Sequence, residues 1–250
     1  MNYKSLEDLS PLDTFDKNAF VGNDQYPQEL CNFVLSLSLI WNDLKNLLSL
    51  FSFMNEQIPK GIEVTKQEEM PVDPIWGEIS GYKIFLEKHI VSLIHELFYL
   101  VKHSKEEIES NHFKKIFKQI RKNSKESWQT IVKYSFGQDD TSTDFGKALL
   151  MVRHKISNHF DKGEIFKGYK RKFIENDNIP YISRGSNMAG QRFYFADAAA
   201  QEYYRSHQEK MSSEEFYLNL NTLKENINFA LQNIIETFIQ GRSAWKKVNS

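Results

Sequence analysis

The feature that most constrains the fold of this chain is the length over which apolar residues recur every three or four positions. Two such stripes each continue for about six turns at the spacing that places side chains on one face of an α-helix. A long amphipathic helix must bury its apolar face against another element, so the stripes predict a bundle. The first stripe is Leu30, Phe33, Val34, Leu37, Ile40, Trp41, Leu44, Leu47, Leu48 and Phe51, and the last is Phe216, Leu220, Leu223, Ile227, Leu231, Ile234 and Phe238.

Further helices are predicted between the two stripes. The segment from Ile108 to Ile120 predicts a third, more charged helix, and residues 196–207 predict another. Ser124 is the expected N-cap of a helix in which Trp128 and Ile131 face inward. A second long helix is predicted from Tyr82, Leu86, Ile90, Leu93, Leu97 and Val101.

One more helix is expected to begin near Asp144 and to end at Gly163. Thr141, Ser142 or Thr143 can cap it, Asp144 favours the first turn, and a glycine commonly follows a helix end.

The remaining segments are rich in proline or glycine. Residues 1–27 predict an irregular N-terminal lead-in, and residues 55–78 predict a connection whose "KGIEV" could pair as a short strand. A small β-hairpin or ordered loop is possible near residues 178–195. No repeat or linker divides the chain. We therefore predict one all-α domain over residues 1–250, a helical bundle with two long antiparallel-type helices and several shorter ones.

Composition favours a soluble cytoplasmic protein. The 32 Lys and Arg nearly balance the 33 Asp and Glu, so net charge gives no support for nonspecific binding to nucleic acid or membrane. The single cysteine, Cys31, excludes an intrachain disulfide and indicates a reducing compartment. The N-terminus lacks the apolar core of a signal peptide, and the most apolar run, "FVLSLSLIW", is too short to span a bilayer.

The segment "MVRHKISNHFDKGE", residues 151–164, collects groups that handle protons and phosphate. On a helix, His159 ends an apolar side formed with Phe145, Ala148, Val152 and Ile156. Arg153 lies about 120° round from His159 and about 9 Å along the axis, so its long side chain could reach a phosphate that His159 also contacts. Spacing alone favours the alternative, in which His159 is a hydrogen-bonded core residue and Arg153 a surface ion-pair partner.

This segment resembles the HEPN superfamily motif, in which an arginine and a polar residue are followed by a histidine late on a helix of an all-α bundle. Here the matching residues are Arg153, the polar His154, and His159 after five intervening residues. The first long helix, with "IWNDLKNLL", also resembles the opening helix of such domains, and the resemblance extends over residues 28–240. The residue after the arginine is frequently Asn or Asp in that superfamily, whereas this chain has His154.

The resemblance implies a metal-independent endoribonuclease that needs no cofactor and acts as a homodimer. His159 would be the general acid or base, Arg153 would stabilise the developing phosphate charge, and His154, Ser157 or Asn158 would orient the histidine or the RNA. The family also implies a toxin or antiviral defence effector with an antitoxin or another regulatory partner, whereas it is the composition that predicts no membrane association.

Two basic runs could hold an RNA backbone. For the first, an ordinary solvated helix face is the favoured interpretation; for the second, which interleaves cations with Phe166, Tyr169 and Phe173, both interpretations stay open. The first run is Lys114, Lys115, Lys118, Arg121 and Lys122, and the second is Lys167, Lys170, Arg171 and Lys172; Lys155 and Asn158 join the second as candidate substrate contacts.

Arg184 and Arg192 lie in a glycine-containing loop that could cover the site or contact a partner subunit, although the favoured interpretation is an ordinary connecting loop whose arginines lie in water.

Other chemistries find little support in the sequence. No phosphate-binding loop is present, and "HE" at residues 95–96 lacks the second histidine of a zinc protease. His89, His95 and His103 are expected on different faces of one helix, and Cys31 is expected to be a small core residue. Two alternatives to the nuclease stay open: a non-catalytic HEPN-like interaction or dimerisation module, and a helical sensor with a closed apolar pocket for a small ligand.

Overall fold

The protein is all-α, as the apolar periodicity predicts. The computed structural model describes residues 13–56, 74–137, 144–151, 162–180, 182, 191–206, 212–243 and 246–247. The helices in these ranges are α1 (Gln28–Glu56), α2 (Pro74–His103), α3 (Lys105–Glu109), α4 (Asn111–Gln119), α5 (Lys122–Ser135), α6 (Asp144–Met151), α7 (Lys162–Tyr169), α8 (Tyr194–Ser206) and α9 (Ser213–Arg242). Two-residue strands, β1 (Asp13–Thr14) and β2 (Lys246–Lys247), form an antiparallel pair.

The long helices α1, α2 and α9 confirm the three long stripes, and α8 confirms the helix predicted after residue 195. The connection predicted over residues 55–78 is wrong at both ends, because α1 continues to Glu56 and α2 already begins at Pro74. Proline fits the first position of a helix, where its missing N–H has no helical acceptor to lose. The "KGIEV" segment lies outside the described residues.

The single helix predicted from Ile108 to Ile120 is wrong, since the chain breaks at Ser110 into α3 and α4. Ser110 has an extended backbone, and its Oγ accepts a hydrogen bond from the N–H of Phe113 at 3.1 Å. This is the geometry of an N-cap, which satisfies one of the free N–H groups at the start of α4.

Ser124 is not the N-cap of the next helix. Helix α5 already begins at Lys122, Arg121 occupies the cap position, and Ser124 is fully buried within the first turn. A serine in the first turn and a serine at the cap look alike in the sequence, because both lie within two residues of the helix start. Trp128 and Ile131 are buried, as predicted.

The chain forms two compact units. Unit 1 contains residues 46–92 and 147–216, and unit 2 contains residues 2–45, 93–146 and 217–250. Aromatic rings fill the core of unit 2, where the centroids of Phe33, Phe113 and Trp128 lie 5.6–6.4 Å apart in pairs. The single-domain assignment stays a prediction.

The described part of the N-terminal lead-in, residues 13–27, is irregular apart from β1 and a 3-10 helix at Lys17–Phe20. Arg242 at the end of α9 holds it: its Nε donates to the carbonyl of Ala19 at 2.8 Å and one Nη to that of Asn18 at 3.0 Å. The guanidinium also lies 4.8 Å from the ring centroid of Tyr26.

In unit 1, α7 packs closely on α8. A Cβ added at Gly168 would collide with the carbonyl oxygen of Ala199 and the backbone of Tyr203. Helix α7 then continues as a π-helical segment, Lys170–Glu175, whose Phe173 is buried. Glycine at the contact allows the two backbones to approach more closely than any side chain would permit.

Gly163 does not stop a helix, contrary to the prediction, because it lies in the first turn of α7. Glycine weakens a helix by about 1 kcal/mol relative to alanine but does not forbid one.

Within the described ranges, each helix is too short or too polar to cross a bilayer.

Alanine substitutions at Gly168 and Gly163 of α7 should change the free energy of unfolding in opposite directions. We expect Gly168→Ala to lower the free energy of unfolding by about 1–3 kcal/mol, because its methyl group overpacks the contact with α8. Gly163 is exposed, so Gly163→Ala should raise that free energy by up to about 1 kcal/mol through helix propensity alone. Urea denaturation of both variants tests this, and equal effects would contradict the close α7–α8 contact.

Candidate RNA-binding site

The residues of the HEPN-like motif lie outside the part of the chain that the structure describes. Arg153, His154, Lys155, Asn158 and His159 all fall between the end of α6 at Met151 and the start of α7 at Lys162. Phe145 and Ala148, the first two residues of the apolar helix side that was predicted to end at His159, lie in α6 and are buried. The catalytic assignment therefore stays a prediction, and the site is built from the elements that flank it.

The second basic run forms part of the exposed side of α7 and of the π-helical segment that follows. Phe166, Lys167, Lys170 and Ile174 are all exposed, with Phe166 at 62 % and Ile174 at 64 %. Residues spaced by three or four positions lie on one side of a helix, so Phe166 and Lys170 are neighbours one turn apart. An aromatic ring and two ammonium groups are thus presented together to solvent.

The opposite side of the same segment is fixed by packing within unit 1. Phe173 is buried, and the centroid of the Tyr169 ring lies 5.0 Å from that of Phe173 and 6.2 Å from that of Phe195. This packing, together with Gly168 against α8, holds the backbone that carries the exposed lysines. A rigid backbone positions a binding group more accurately than a loop does.

The four cations of this run are not equivalent. Lys167 and Lys170 are exposed, whereas Arg171 and Lys172 are half-buried. Lys170 Nζ lies 3.3 Å from a carboxylate oxygen of Glu175, and both side chains are more than half exposed, so the pair is weak and easily exchanged. Lys167 and Lys170 are therefore the residues best placed to meet a phosphate.

Arg192 does not lie in water, contrary to the favoured prediction for its loop. Its Nη1 donates to a carboxylate oxygen of Glu78 at 2.8 Å, and its Nε and Nη2 donate to Oδ2 of Asp197 at 3.2 Å and 3.0 Å. The arginine side chain is only 21 % exposed, and its guanidinium lies 5.4 Å from the ring centroid of Tyr82. Arg184 lies outside the described residues.

Electrostatics around Arg192 explain why it is charged and what it stabilises. Burial alone would lower the pKa of Arg192, but the carboxylates of Asp197 and Glu78 outweigh this and raise the pKa above its usual value. Lys88 also interacts with Asp197, yet burial dominates there and lowers the lysine's pKa. Arg192 thus joins the start of α8 to α2 and is a structural residue.

Sequence reasoning missed this cluster, although one signal was available. Gly77 and Gly81 lie four residues apart on α2, where a Cβ would collide with the Tyr194 ring and with the Arg192 guanidinium respectively. Two glycines one turn apart indicate a close approach by another element. The sequence does not show which residue approaches.

The other candidate groups do not assemble into a site in the described ranges. His95 is buried whereas His89 and His103 are exposed, and no group of three or more metal-ligating side chains occurs in the described residues. Cys31 is fully buried, which confirms its place in the core, and burial raises the pKa of its thiol.

A hollow of about 360 Å³ lies at the C-terminal end of α9 in unit 2. Asp16, Asn18, Asn23, Gln25 and Arg242 are among its lining residues, so polar groups dominate the wall. This hollow is unlike the closed apolar pocket that the ligand-sensor alternative requires.

No family model, curated protein or solved structure matches this chain. The assignment of Arg153, His154 and His159 therefore rests on the sequence motif.

A double-mutant cycle tests the structural role of Arg192. We expect Arg192→Met and Asp197→Asn to be coupled by about 1–3 kcal/mol in the free energy of unfolding, because each change removes a direct hydrogen-bonded partner from a partly buried charge. The matched control is the exposed pair Lys105 and Glu109, 3.8 Å apart, whose coupling should stay below about 0.5 kcal/mol. Equal couplings in the two cycles would show that Arg192 is not a structural link.

Proposed function

We propose that the protein is a metal-independent endoribonuclease of HEPN type, which cleaves RNA at a dimeric site formed by Arg153, His154 and His159 of both copies. The observation that carries the proposal is the exposed side of α7, where Phe166, Lys167 and Lys170 meet solvent together. Lys167 follows His159 by only eight residues in the sequence. A surface suited to an RNA backbone thus comes directly after the motif that would cut it.

The chemistry requires a ribose 2′-OH beside the scissile phosphate. The 2′-oxygen attacks phosphorus, the bond to the 5′-oxygen breaks, and the products are a 2′,3′-cyclic phosphate and a 5′-OH. One His159 takes the proton of the 2′-OH and the His159 of the other copy protonates the departing 5′-oxygen. Arg153 donates to the phosphate oxygens as their charge grows, and His154 or Asn158 orients the histidine.

The basic side of α7 supports binding by two physical effects. Lys167 and Lys170 neutralise backbone phosphates and release their counterions. Phe166 is 62 % exposed and offers a ring face on which an unpaired base can stack, a contact worth about 1–3 kcal/mol. Lys155, Asn158, Arg171 and Lys172 extend the proposed contacts on either side.

The biological setting belongs to the same proposal and rests on the resemblance. In it, the protein is a cytoplasmic toxin or antiviral defence effector that acts as a homodimer and is held in check by an antitoxin or another regulatory partner.

A second candidate is a non-catalytic interaction or dimerisation module. The observation in its favour is on α1, where Leu35 and Leu39 are 53 % and 63 % exposed one turn apart. Neighbouring exposed leucines on a helix form an apolar strip that a partner helix can cover. This module needs no RNA, so the experiments below separate it from the nuclease.

Loss of either motif residue should slow cleavage strongly. We expect the wild type to cut mixed-sequence RNA in EDTA and to leave 2′,3′-cyclic phosphate ends, with rates about 10²–10⁴-fold lower in His159→Ala and Arg153→Ala. The control is His103→Ala, which removes an exposed histidine of α2 and should cleave normally. Circular dichroism confirms folding. A folded wild type that leaves RNA intact in this assay would favour the interaction module.

Binding can be measured apart from cleavage in the His159→Ala background. Adding Lys167→Gln and Lys170→Gln should reduce the slope of log affinity against log salt by about 1.4, since each lost phosphate contact on single-stranded RNA removes about 0.7. Lys102→Gln with Lys133→Gln removes the same charge at two exposed positions elsewhere and serves as control. An equal change in both double variants would show that α7 is not a specific contact surface.

A further inference from the structure

The junction between α4 and α5 carries the strongest local charge in the described part of unit 2. Between Ser110 and Lys125 the chain has six lysines and arginines and no aspartate or glutamate, although the whole chain has a net charge of −1. Five of these cations are exposed and Lys125 is half-buried: Lys114, Lys115, Lys118, Arg121, Lys122 and Lys125. An ordinary solvated face in a chain of balanced charge would mix both signs.

Part of this charge has a structural use. Lys125 Nζ donates to the carbonyl of Lys118 at 2.9 Å, which satisfies a free carbonyl at the C-terminal end of α4. Lys122 lies 3.9 Å from Glu126 in an exposed i,i+4 pair. The side chains of Lys114, Lys118 and Arg121 have no carboxylate partner among the described residues. Lys114 and Lys118 lie away from the face of α4 that buries Phe113 and Ile116.

The arrangement also opposes the electrostatics of both helices. Lys114 and Lys118 are like charges one turn apart on α4, which destabilises a helix. Arg121 and Lys122 stand at the N-terminus of α5, where the helix dipole disfavours cations. By contrast, α3, α6 and α9 each have acidic residues in the first turn.

The start of α5 has unmet hydrogen-bonding capacity as well. Arg121 occupies the cap position without a side-chain hydrogen bond to the helix, so the N–H groups of Lys122 and Asn123 have no acceptor among the described residues, whereas the N–H of Ser124 donates to Oδ1 of Asn123 at 2.9 Å. The hydroxyl of Ser124, in the third position of α5, is buried without a hydrogen-bond partner among the described residues. Because Cα–Cβ bonds tilt toward the helix N-terminus, the Cβ that carries this hydroxyl is displaced toward the same end.

We propose that the α4–α5 junction is a second RNA-contact surface, which binds a backbone phosphate at the N-terminus of α5 between Lys118 and Arg121. A phosphate accepts hydrogen bonds from the free N–H groups of Lys122 and Asn123 and neutralises the neighbouring cations. It also removes the repulsion along Lys114 and Lys118. The phosphate site follows from the junction alone, whereas its assignment to RNA rests on the proposed function.

The test has one arm for phosphate and one for RNA. Inorganic phosphate, titrated into the ¹⁵N-labelled full chain, should shift the amide resonances of Lys122, Asn123 and Ser124. In Lys118→Gln/Arg121→Gln these shifts should be lost, and the melting temperature should be unchanged or higher because repulsion is relieved. Lys102→Gln/Lys133→Gln is the control of equal charge and should keep the shifts. In the His159→Ala background, the same junction variant should reduce the salt slope of RNA binding by about 1.4.

Each arm can fail independently of the other. If phosphate leaves the three amides unshifted, or if the junction variant melts at a lower temperature, the cations are a solvated or structural face and the site is refuted. If the wild type binds RNA but the junction variant keeps its full salt slope, the RNA contact at α4–α5 is refuted while the proposed function stands. If phosphate shifts the amides but the wild type does not bind RNA, the assignment to RNA is refuted together with the proposed function.

Discussion

The close contact between α7 and α8 at Gly168 determines which side chains of the proposed RNA surface reach solvent. The backbone at Gly168 lies against Ala199 and Tyr203, and Phe173 is buried, so that side of the segment is occupied by packing. Because that side is occupied, Phe166, Lys167 and Lys170 lie on the opposite, solvent-exposed side of the segment. The separation of two packed helices is set by the side chains at their contact, and packed interiors transmit small displacements. The position of this binding surface thus depends on Gly168, which has no side chain.

Burial divides the basic residues of unit 1 into two roles. The Arg192 side chain is largely shielded from water, and two carboxylates accept hydrogen bonds from three of its nitrogens. Its positive charge is therefore already neutralised within the fold. Lys167 and Lys170 are exposed, and the pairing of Lys170 with Glu175 is screened by solvent. An incoming phosphate could displace such a weak partner at little cost, whereas it could not compete for Arg192. Exposure, more than residue type, therefore separates candidate binding groups from structural ones.

These features could be predicted from the sequence when nearby residues determine them, and could not when residues far apart in the sequence do. Helices α1, α2, α8 and α9 were predictable because each segment itself contains the apolar periodicity of a helix. The break at Ser110 and the start of α5 were not, because competing hydrogen bonds over two or three residues decide a cap. Arg192 was beyond local reasoning, since its partner Glu78 lies 114 positions away. The basic run of α7 was visible in composition, but the unequal exposure of its four cations depends on tertiary packing.

The α4–α5 junction shows how small costs can distinguish a binding surface from chance. A like-charged pair one turn apart costs about 0.2–0.5 kcal/mol, and a cation at a helix N-terminus about 0.3–1 kcal/mol. Neither threatens a fold with a typical stability of about 5–15 kcal/mol, so either alone could persist without a function. Here both occur within a few residues of an uncapped helix start and an unpartnered serine hydroxyl, whereas α3, α6 and α9 have acidic residues in the first turn. One bound anion would offset the charge repulsion and accept the free N–H groups together, and local rules are broken most often where a protein binds or reacts.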